Sequence, residues 1–251
     1  MKNNNKFRLD VWGAITLGTI ALYVLFLLYP MAYLIRQSVL DPDTGSFTLA
    51  YFTKFFSKSY YFDTLINSFK VSITATVLSI AIGTPLAYLF TIFKIKGKPV
   101  LNILIVVASM SAPFIGAYSW ILLLGRSGII TTFFKNLGIA IPDIYGFGGI
   151  VLVMTLQLFP LVFLYAKGAL KNIDNSLIEA AENLGCSGIA CFFKVVVPLI
   201  MPTLLAAALL VFMRSFADFG TPMLIGEGYR TFPVVLYLSL IHISEPTRHA
   251  Q

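Results

Sequence analysis

Two charged residues that could do chemistry, Arg214 and Asp218, lie in an otherwise strongly apolar stretch of the chain. They are four residues apart, which places both on one face of a helix, and Gly220 and Pro222 interrupt that helix just beyond them. Charged groups at membrane depth usually pair or line a pathway, and broken helices mark binding sites in transporters. Two interpretations follow. The four residues line a translocation pathway, or Arg214 and Asp218 form an ion pair that only neutralises itself.

A second group of polar residues interrupts the apolar sequence in NSLIEAAENLGCSGIACFFKVVVPLIMP, residues 175–202. Asp174 or Asn175 can cap a helix, Gly185 can end it, and a second short helix over residues 189–194 leads into an apolar run. Apolar residues recur at helical spacings of three and four, at Leu177, Ile178, Ala181 and Leu184. This pattern is typical of a lever that docks in a partner's groove, and also of an amphipathic connector on a lipid surface.

The residue types that usually bind metals indicate no metal site. Cys186 and Cys191 are five residues apart, which matches no zinc or redox motif, and we expect them to act as small apolar residues in a reducing compartment. His242 and His249 lie in the last ten residues, so the apolar part of the chain has no imidazole for a metal site or a proton relay. We therefore expect no metal or cofactor in this chain.

The elements that must position these residues are membrane helices. The chain has 251 residues, of which 58% are hydrophobic and 12% charged, against about 25% charged in soluble domains. Its net charge of +7 does not indicate nucleic acid, because basic residues of multispan proteins collect in cytoplasmic loops. A bilayer core of about 30 Å needs roughly 20 apolar residues per helix, so the long apolar runs predict an all-α membrane protein with five spans. The runs are residues 11–35, 71–93, 99–124, 144–166 and 195–213.

Prolines and basic residues refine this prediction. Spans two to five contain prolines, which membrane helices tolerate when neighbouring groups satisfy the freed carbonyls: Pro85, Pro113, Pro160, Pro198 and Pro202. Lys94, Lys96 and Lys98 crowd one turn that has no acidic residue, which predicts a cytoplasmic N-terminus and places residues 171–194 in the cytoplasm. The first loop on the other side, residues 41–64, is aromatic and predicts a segment at the membrane interface or a docking surface for an outside partner.

The cytoplasmic segment also carries a spaced motif. Its residues are Glu179-Ala180-Ala181, then after three residues Gly185, after nine more Val195, and after one more Val197-Pro198. This spacing resembles the signature loop of type I ABC importer permeases, with Val in place of the family's Ile and Leu. The resemblance covers about residues 11–237 and implies the type I ABC importer transmembrane fold, with five spans and the start of a missing sixth.

In that family the loop couples the membrane helices to a separate ATPase. The resemblance therefore implies that residues 171–194 are a coupling loop that docks on a dimer of ABC ATPase subunits, which bind the ATP. Glu179 would supply polar contact or capping, Ala180 and Ala181 close approach, and Gly185 the corner, with Pro198 completing the motif. The chain itself has no G-x-x-x-x-G-K-[ST] phosphate loop, so we do not expect it to be an enzyme.

The resemblance also implies partners, a location and a substrate class. The partners are an extracytoplasmic binding protein, a second permease half (identical, paralogous or fused) and the lipid of a bacterial plasma membrane, with no nucleic acid. Residues 214–237 resemble the ferric-iron uptake subgroup, and more weakly importers of aminoethylphosphonate, polyamines or sulfate, so ferric iron is the first expectation. A secondary transporter or channel is the alternative from another class, whereas no paired carboxylates, HExxH or nucleophile motif supports a membrane enzyme.

The resemblance to the family ends near residue 238. The string SLIHISEPTR, residues 239–248, resembles a translated transposase adapter from sequencing libraries, so we expect a non-native tail on a C-terminally truncated fragment. The predicted organisation is a cytoplasmic N-terminus over 1–10, a permease transmembrane domain over 11–237, and this tail over 238–251.

Overall fold

The computed structural model describes residues 11–41, 44–93, 95–110, 112–139 and 142–244, and all side chains in these ranges except those of residues 175, 182 and 240–244. The predicted cytoplasmic N-terminus (residues 1–10), Lys94, and residues 245–251 of the predicted tail therefore lie outside the described ranges. The chain divides into two compact units, residues 1–62 and 63–251.

The described residues are helical almost throughout, and their only strand-like pairing is an isolated antiparallel bridge between Leu40 and Phe47. The helices are α1 Val11–Val39, α2 Ala50–Ser57, α3 Ser59–Ile92, α4 Lys98–Ser109, α5 Pro113–Leu124, α6 Ile129–Asn136, α7 Phe147–Leu170, α8 Asn175–Asn183, α9 Gly188–Ala217, α10 Gly220–Ile225 and α11 Phe232–Ser244. The predicted all-α fold is confirmed, and α11 continues past residue 238, where the predicted tail begins.

The first unit contains α1 and α2. No residue of α1 is buried, although its mean hydropathy is 2.1, and a helix that is apolar on every side and uncovered by protein is typical of a membrane span. At the end of α2 and the start of α3, the rings of Phe55, Phe56, Tyr60 and Tyr61 pack together, with neighbouring centroids 5.2 to 5.6 Å apart. These four aromatic residues of the segment 41–64 therefore form one cluster.

The second unit is built around α3, α7 and α9. The buried face of α3 is lined mainly by small and hydroxyl residues, which let helices approach closely without lipid between them. Two groups of buried apolar side chains fill the space between the helices. The first includes Ala87, Phe90, Val162, Phe163, Val196 and Ile200, and the second includes Val71, Ala75, Ile150, Val153, Met154 and Ile225.

Five helical segments, one of them made of α5 and α6 together, are long and apolar enough to cross a bilayer among the described residues, which confirms the predicted number of spans. The predicted spans 11–35, 71–93, 144–166 and 195–213 correspond to α1, α3, α7 and α9. Helix α3 begins at Ser59, twelve residues before the predicted start, because its first turns carry polar residues that a hydropathy criterion excludes from a span.

The prediction of one continuous third span over residues 99–124 is wrong. The structure has two helices there, α4 and α5, which are separated around Met110 and Ala112. Pro113 starts α5 and is not inside a helix as predicted; it disfavours helical backbone at the residue before it, and Ala112 is extended with φ −68° and ψ 142°. The third segment long enough to span is instead Pro113–Asn136, which consists of α5 and α6 together. Helix α4 is a shorter apolar helix.

Two wide, π-helical turns lie inside α1 and α9, at Val24–Leu28 and Phe192–Val196. Each ends two residues before a proline, Pro30 in α1 and Pro198 in α9. A proline ring collides with the carbonyl four residues earlier in a regular helix, and in both places that carbonyl belongs to the wide turn. The wider turn accommodates the ring without breaking the helix.

The start of α11 is tied to α3 by side-chain hydrogen bonds. The backbone N–H of Phe232 donates to Ser68 Oγ over 2.8 Å, and Asn67 Nδ2 donates to the carbonyl of Arg230 over 3.2 Å. Polar residues at these α3 positions therefore satisfy backbone groups that have no partner at the end of a helix.

The close approach of α3 to α7 at Gly83 predicts a stability effect. A Cβ built on Gly83 of α3 would lie 2.9 Å from the carbonyl oxygen of Phe159 and 2.9 Å from Cβ of Val162, both in α7. We expect Gly83→Val to destabilise the protein by about 1–3 kcal/mol through overpacking, and to lower the thermal unfolding midpoint in detergent. Gly168→Val is the matched control, since a Cβ at Gly168 in α7 meets no atom within 4 Å. Equal unfolding midpoints for the two variants would contradict this packing.

Candidate functional site

The predicted coupling loop contains a short capped helix, α8. The Ser176 N–H donates to Asp174 Oδ1 over 2.9 Å, and the Leu177 N–H donates to the Asp174 carbonyl over 3.1 Å. These are the bonds of a helix N-cap, so the predicted cap is confirmed and Asp174 provides it. The hydrogen bond from the Ser176 backbone is also the main cause of a lowered Asp174 pKa, because it stabilises the carboxylate.

A left-handed glycine ends α8. Gly185 has φ +84°, and beyond it the Cys186 N–H donates to the carbonyl of Ala181 over 3.0 Å. This bond across a left-handed residue is the Schellman helix end, in which a carbonyl of the last turn is satisfied by the chain turning back. A Cβ at Gly185 would meet no atom within 4 Å, so the demand for glycine comes from the backbone angle and not from crowding.

The apolar residues of α8 are divided between two faces. Ile178 packs against the apolar core of the second unit and Ala181 is half-buried. Leu184 is 88% exposed, Leu177 is 49% exposed, and Ile189 just beyond the corner is 77% exposed. The predicted single apolar face is therefore only partly covered, and three large apolar side chains remain open to the surroundings of this chain.

Two residues of the motif, Glu179 and Ala180, are exposed. The Glu179 carboxylate forms no hydrogen bond or ion pair with the groups of the described ranges. The predicted capping role of Glu179 within the loop is not seen here, since Asp174 caps the helix. Its carboxylate therefore points away from the fold.

Helix α9 connects the corner to the core. Cys191, Phe192 and Val196 in its first turns are buried, and the Phe192 ring lies 4.6 Å from the ring of Tyr88 in α3. Pro198 is exposed and follows the wide turn of α9. Because its first turns are packed on both α3 and α7 side chains, α9 cannot move at the corner without moving the core.

Arg214 and Asp218, the second candidate, do not form the ion pair that their spacing allowed. Within the described residues, no ion pair joins them, because α9 ends at Ala217 and the backbone of Asp218 is extended. Asp218 instead receives hydrogen bonds from the start of α10: Oδ1 accepts the N–H of Gly220 at 2.8 Å and of Thr221 at 3.3 Å, and Oδ2 accepts the Thr221 hydroxyl at 2.7 Å. The carboxylate thus holds the break between α9 and α10 together.

The four predicted pathway residues are divided between a cavity and the core. Arg214, Asp218 and Gly220 line a cavity of about 530 Å³, whereas Pro222 is buried within α10. The two helix breaks meet at this cavity, since a Cβ at Gly220 would lie 3.3 Å from the ring of Phe114 in α5. Glycine at this position allows α10 to pack closely along α5.

Gln157, which was not among the predicted residues, also lines this cavity from α7. Its Nε2 atom is buried and has no hydrogen-bond partner among the described residues. An amide in the middle of a membrane helix is itself a signal, since polar side chains there usually serve packing or a pathway. A search for charged groups at membrane depth does not find it, because the amide is neutral.

A comparison with protein families decides what kind of chain this is. Residues 46–243 match the model of the family described as binding-protein-dependent transport system inner membrane component. The chain belongs to this family. It is therefore a multi-pass membrane protein of a transport-system family, and the matched range includes both candidate sites.

Individual relatives within the permease family are consistent with this assignment. A ferric transport system permease protein of Actinobacillus pleuropneumoniae is 28% identical over 240 residues, which are 94% of this chain and 34% of that protein. A spermidine/putrescine transport system permease protein of Haemophilus influenzae is 29% identical over 232 residues, which are 89% of this chain and 79% of that protein. The chain thus spans about a third of the length of its ferric relatives.

Solved structures support the fold of the permease. The chain matches a bacterial alginate ABC transporter, solved with an alginate pentasaccharide-bound periplasmic protein, with a TM-score of 0.73 and 16% identity over 93% of this chain and 83% of that chain. This agreement confirms the ABC importer permease fold predicted from the motif.

A further cluster, also not predicted, joins three connections of the permease. Arg126 Nε lies 3.0 Å from Asp143 Oδ2, and Arg126 Nη2 lies 2.8 Å from Glu227 Oε1. The guanidinium also stacks 4.7 Å from the Tyr145 ring centroid. Residues far apart in sequence supply this cluster, so no local pattern could reveal it.

The cap of α8 generates a prediction. We expect Asp174→Ala to accelerate hydrogen exchange of the Ser176 amide several-fold, because that N–H loses its acceptor, whereas Asp174→Asn keeps an oxygen acceptor and the protection. Because the folded pKa of Asp174 is lowered, the ionic part of the cap is fully present above the ordinary value of 3.8 and is lost as the pH falls through the lowered value. Unchanged Ser176 exchange in Asp174→Ala at pH 7 would contradict the cap.

Proposed function

We propose that this chain is the membrane-spanning permease half of an ATP-driven importer. The observation that carries the proposal is the geometry of residues 171–194. A short helix is capped at Asp174, closed at Gly185 and followed directly by a helix anchored in the core, while apolar side chains beside the corner stay uncovered. A loop that transmits movement from a separate subunit needs both a fixed shape and an uncovered surface on which that subunit can dock.

The partner on this surface is a dimer of ABC ATPase subunits, which binds and hydrolyses the ATP. Leu177, Leu184 and Ile189 enter an apolar groove of the ATPase, in the way an amphipathic helix docks on a partner. Glu179 makes a polar contact with the ATPase at the edge of that groove, since its carboxylate has no partner in the described part of this chain. Ala180 and Ala181 allow close approach, Gly185 sets the corner, and Pro198 sits where the loop joins the span.

The orientation follows from that partner. The ATPase is cytoplasmic, so residues 171–194 and the N-terminus face the cytoplasm of a bacterial cell, as the clustered lysines predict. The cluster of Arg126, Asp143 and Glu227 then lies toward the outside, where an extracytoplasmic binding protein delivers the solute. A second permease half, identical, paralogous or fused, completes the pathway across the bilayer.

Ferric iron is the proposed substrate, and a polyamine is the second candidate. The support is the identity to ferric transport permeases and, at a similar level, to spermidine/putrescine permeases. The pathway candidates are Arg214, Asp218 and Gly220 at the cavity, with Pro222 behind them in α10.

The left-handed corner tests the coupling role. We expect Gly185→Val to abolish ATP-driven uptake while the chain still inserts in the membrane, because a β-branched residue there incurs roughly 1 kcal/mol or more of backbone strain and reshapes the corner. Gly185→Asn is the matched control, since asparagine tolerates the left-handed region and no atom crowds the position, so uptake should be largely retained.

The measurement is co-purification of the ABC ATPase with each variant, together with solute-dependent ATP hydrolysis in proteoliposomes. The wild-type chain and Gly185→Asn should retain the ATPase, and Gly185→Val should lose either its binding or its coupling. Full transport by Gly185→Val, or a wild-type chain that transports without any ATPase, would refute the proposed function.

A further inference from the structure

The polar groups around the 530 Å³ cavity between the two helix breaks are not equally available to a solute. Those that line it are Ser109, Gln157, Arg214 and Asp218. The Ser109 hydroxyl donates to the Val106 carbonyl over 2.6 Å, so its proton is already used within α4. The other polar groups differ in whether they still offer a hydrogen-bond donor or acceptor to a solute.

The acceptor in the cavity is largely used. A carboxylate has about four lone-pair sites, and in Asp218 three of them already accept hydrogen bonds from Gly220 and Thr221. Removing these bonds for a solute would leave the first N–H groups of α10 without partners at membrane depth, which is costly. Asp218 is therefore a structural group and offers little to a cation that enters the cavity.

The donors in the cavity are unused. The Arg214 guanidinium carries five N–H donors and forms no ion pair or hydrogen bond with the described residues, although it is the one basic residue on the cavity wall. Gln157 lines the same space from α7, but its Nε2 atom has no accessible surface and offers a solute no donor there. An unpaired charge at membrane depth is costly, so a ligand that supplies acceptor oxygens to Arg214 lowers this cost.

From this inventory we propose that the cavity binds an anionic, oxygen-rich group through Arg214. The inference rests on the proposed importer function and narrows its substrate: the solute passes as a free oxyanion, or as ferric iron carried with anionic oxygen ligands, and not as a bare polyamine. Guanidinium groups match carboxylate and oxyanion geometry in pairs of parallel hydrogen bonds, whereas a polyamine would meet a like charge at Arg214.

Equilibrium binding to the full chain in lipid nanodiscs tests the proposal. The probes are radiolabelled sulfate, ferric citrate and spermidine. We expect sulfate or ferric citrate to bind with a Kd at least tenfold below that of spermidine. Arg214→Gln should raise the anion Kd at least tenfold, while Arg214→Lys, which keeps the charge but not the paired hydrogen bonds, should raise it less than Arg214→Gln does. Lys70→Gln removes a positive charge from α3 away from the cavity and serves as the control with unchanged Kd.

A second variant covers the case in which Arg214→Gln fails to fold. Gln157→Glu keeps the shape of the side chain but adds a negative charge to the cavity lining, so it too should raise the anion Kd at least tenfold. Binding of sulfate alone identifies a free oxyanion as the solute, binding of ferric citrate alone identifies the chelate, and competition between them identifies a shared anion site; all three support the proposal.

Three results would overturn it: spermidine binding as tightly as the anions, no anion binding at all, or an anion Kd that neither Arg214→Gln nor Gln157→Glu changes. The assay needs no ATPase and no binding protein, so its failure differs from failure of the proposed function. Anion binding by a chain that never associates with an ABC ATPase would support the anion site and refute the importer function. Association with the ATPase without any anion binding would support the importer function and refute the anion site.

Discussion

A backbone N–H or C=O that a helix break frees inside a bilayer has no water to bind, so the chain must supply its new partner. This constraint shapes the breaks described here. Asp218 supplies oxygens to the first N–H groups of α10, Ser68 supplies one to Phe232 at the start of α11, and wide turns of α1 and α9 make room for Pro30 and Pro198. The polar residues of this apolar chain are first of all the groups that make its irregular backbone possible.

That use of polar groups determines what the cavity can offer to a solute. Because Asp218 is occupied by the start of α10, it no longer neutralises Arg214 by direct contact, and the two charges that the spacing suggested as a pair have different roles. Had α9 continued for one more turn, the two side chains would have been neighbours on its surface. The position of the helix end, at Ala217, therefore decides the electrostatic character of the cavity.

How far sequence could predict the structure depends on how local each determinant is. The cap at Asp174, the corner at Gly185 and the number of spans were predictable, because a cap, a glycine and a run of apolar residues each act within a few turns. The division of the third span into α4 and α5 was not, since hydropathy averages over Pro113 and sees one apolar run. The roles of Gln157 and of the Arg126 cluster depend on side chains from distant parts of the chain, which spacing along one helix cannot reveal.

The two candidate sites lie at opposite ends of one helix. Helix α9 has 30 residues, which at 1.5 Å per residue is about 45 Å, with the Gly185 corner just before its start and Asp218 just after its end. Buried side chains recur along it, from Phe192 through Ile200 to Val211, so it is held by the core over its whole length and not at one point. In the proposed importer, a displacement of the corner by an ATPase must then move α9 as a body against α7 or bend it at the wide turn before Pro198. Either motion shifts Arg214 relative to the wall that α7 contributes to the cavity at Gln157 and Leu158. The position of the guanidinium against that wall determines whether an anion can be held in the cavity, so closure of the motor and release of the solute can share one mechanical element.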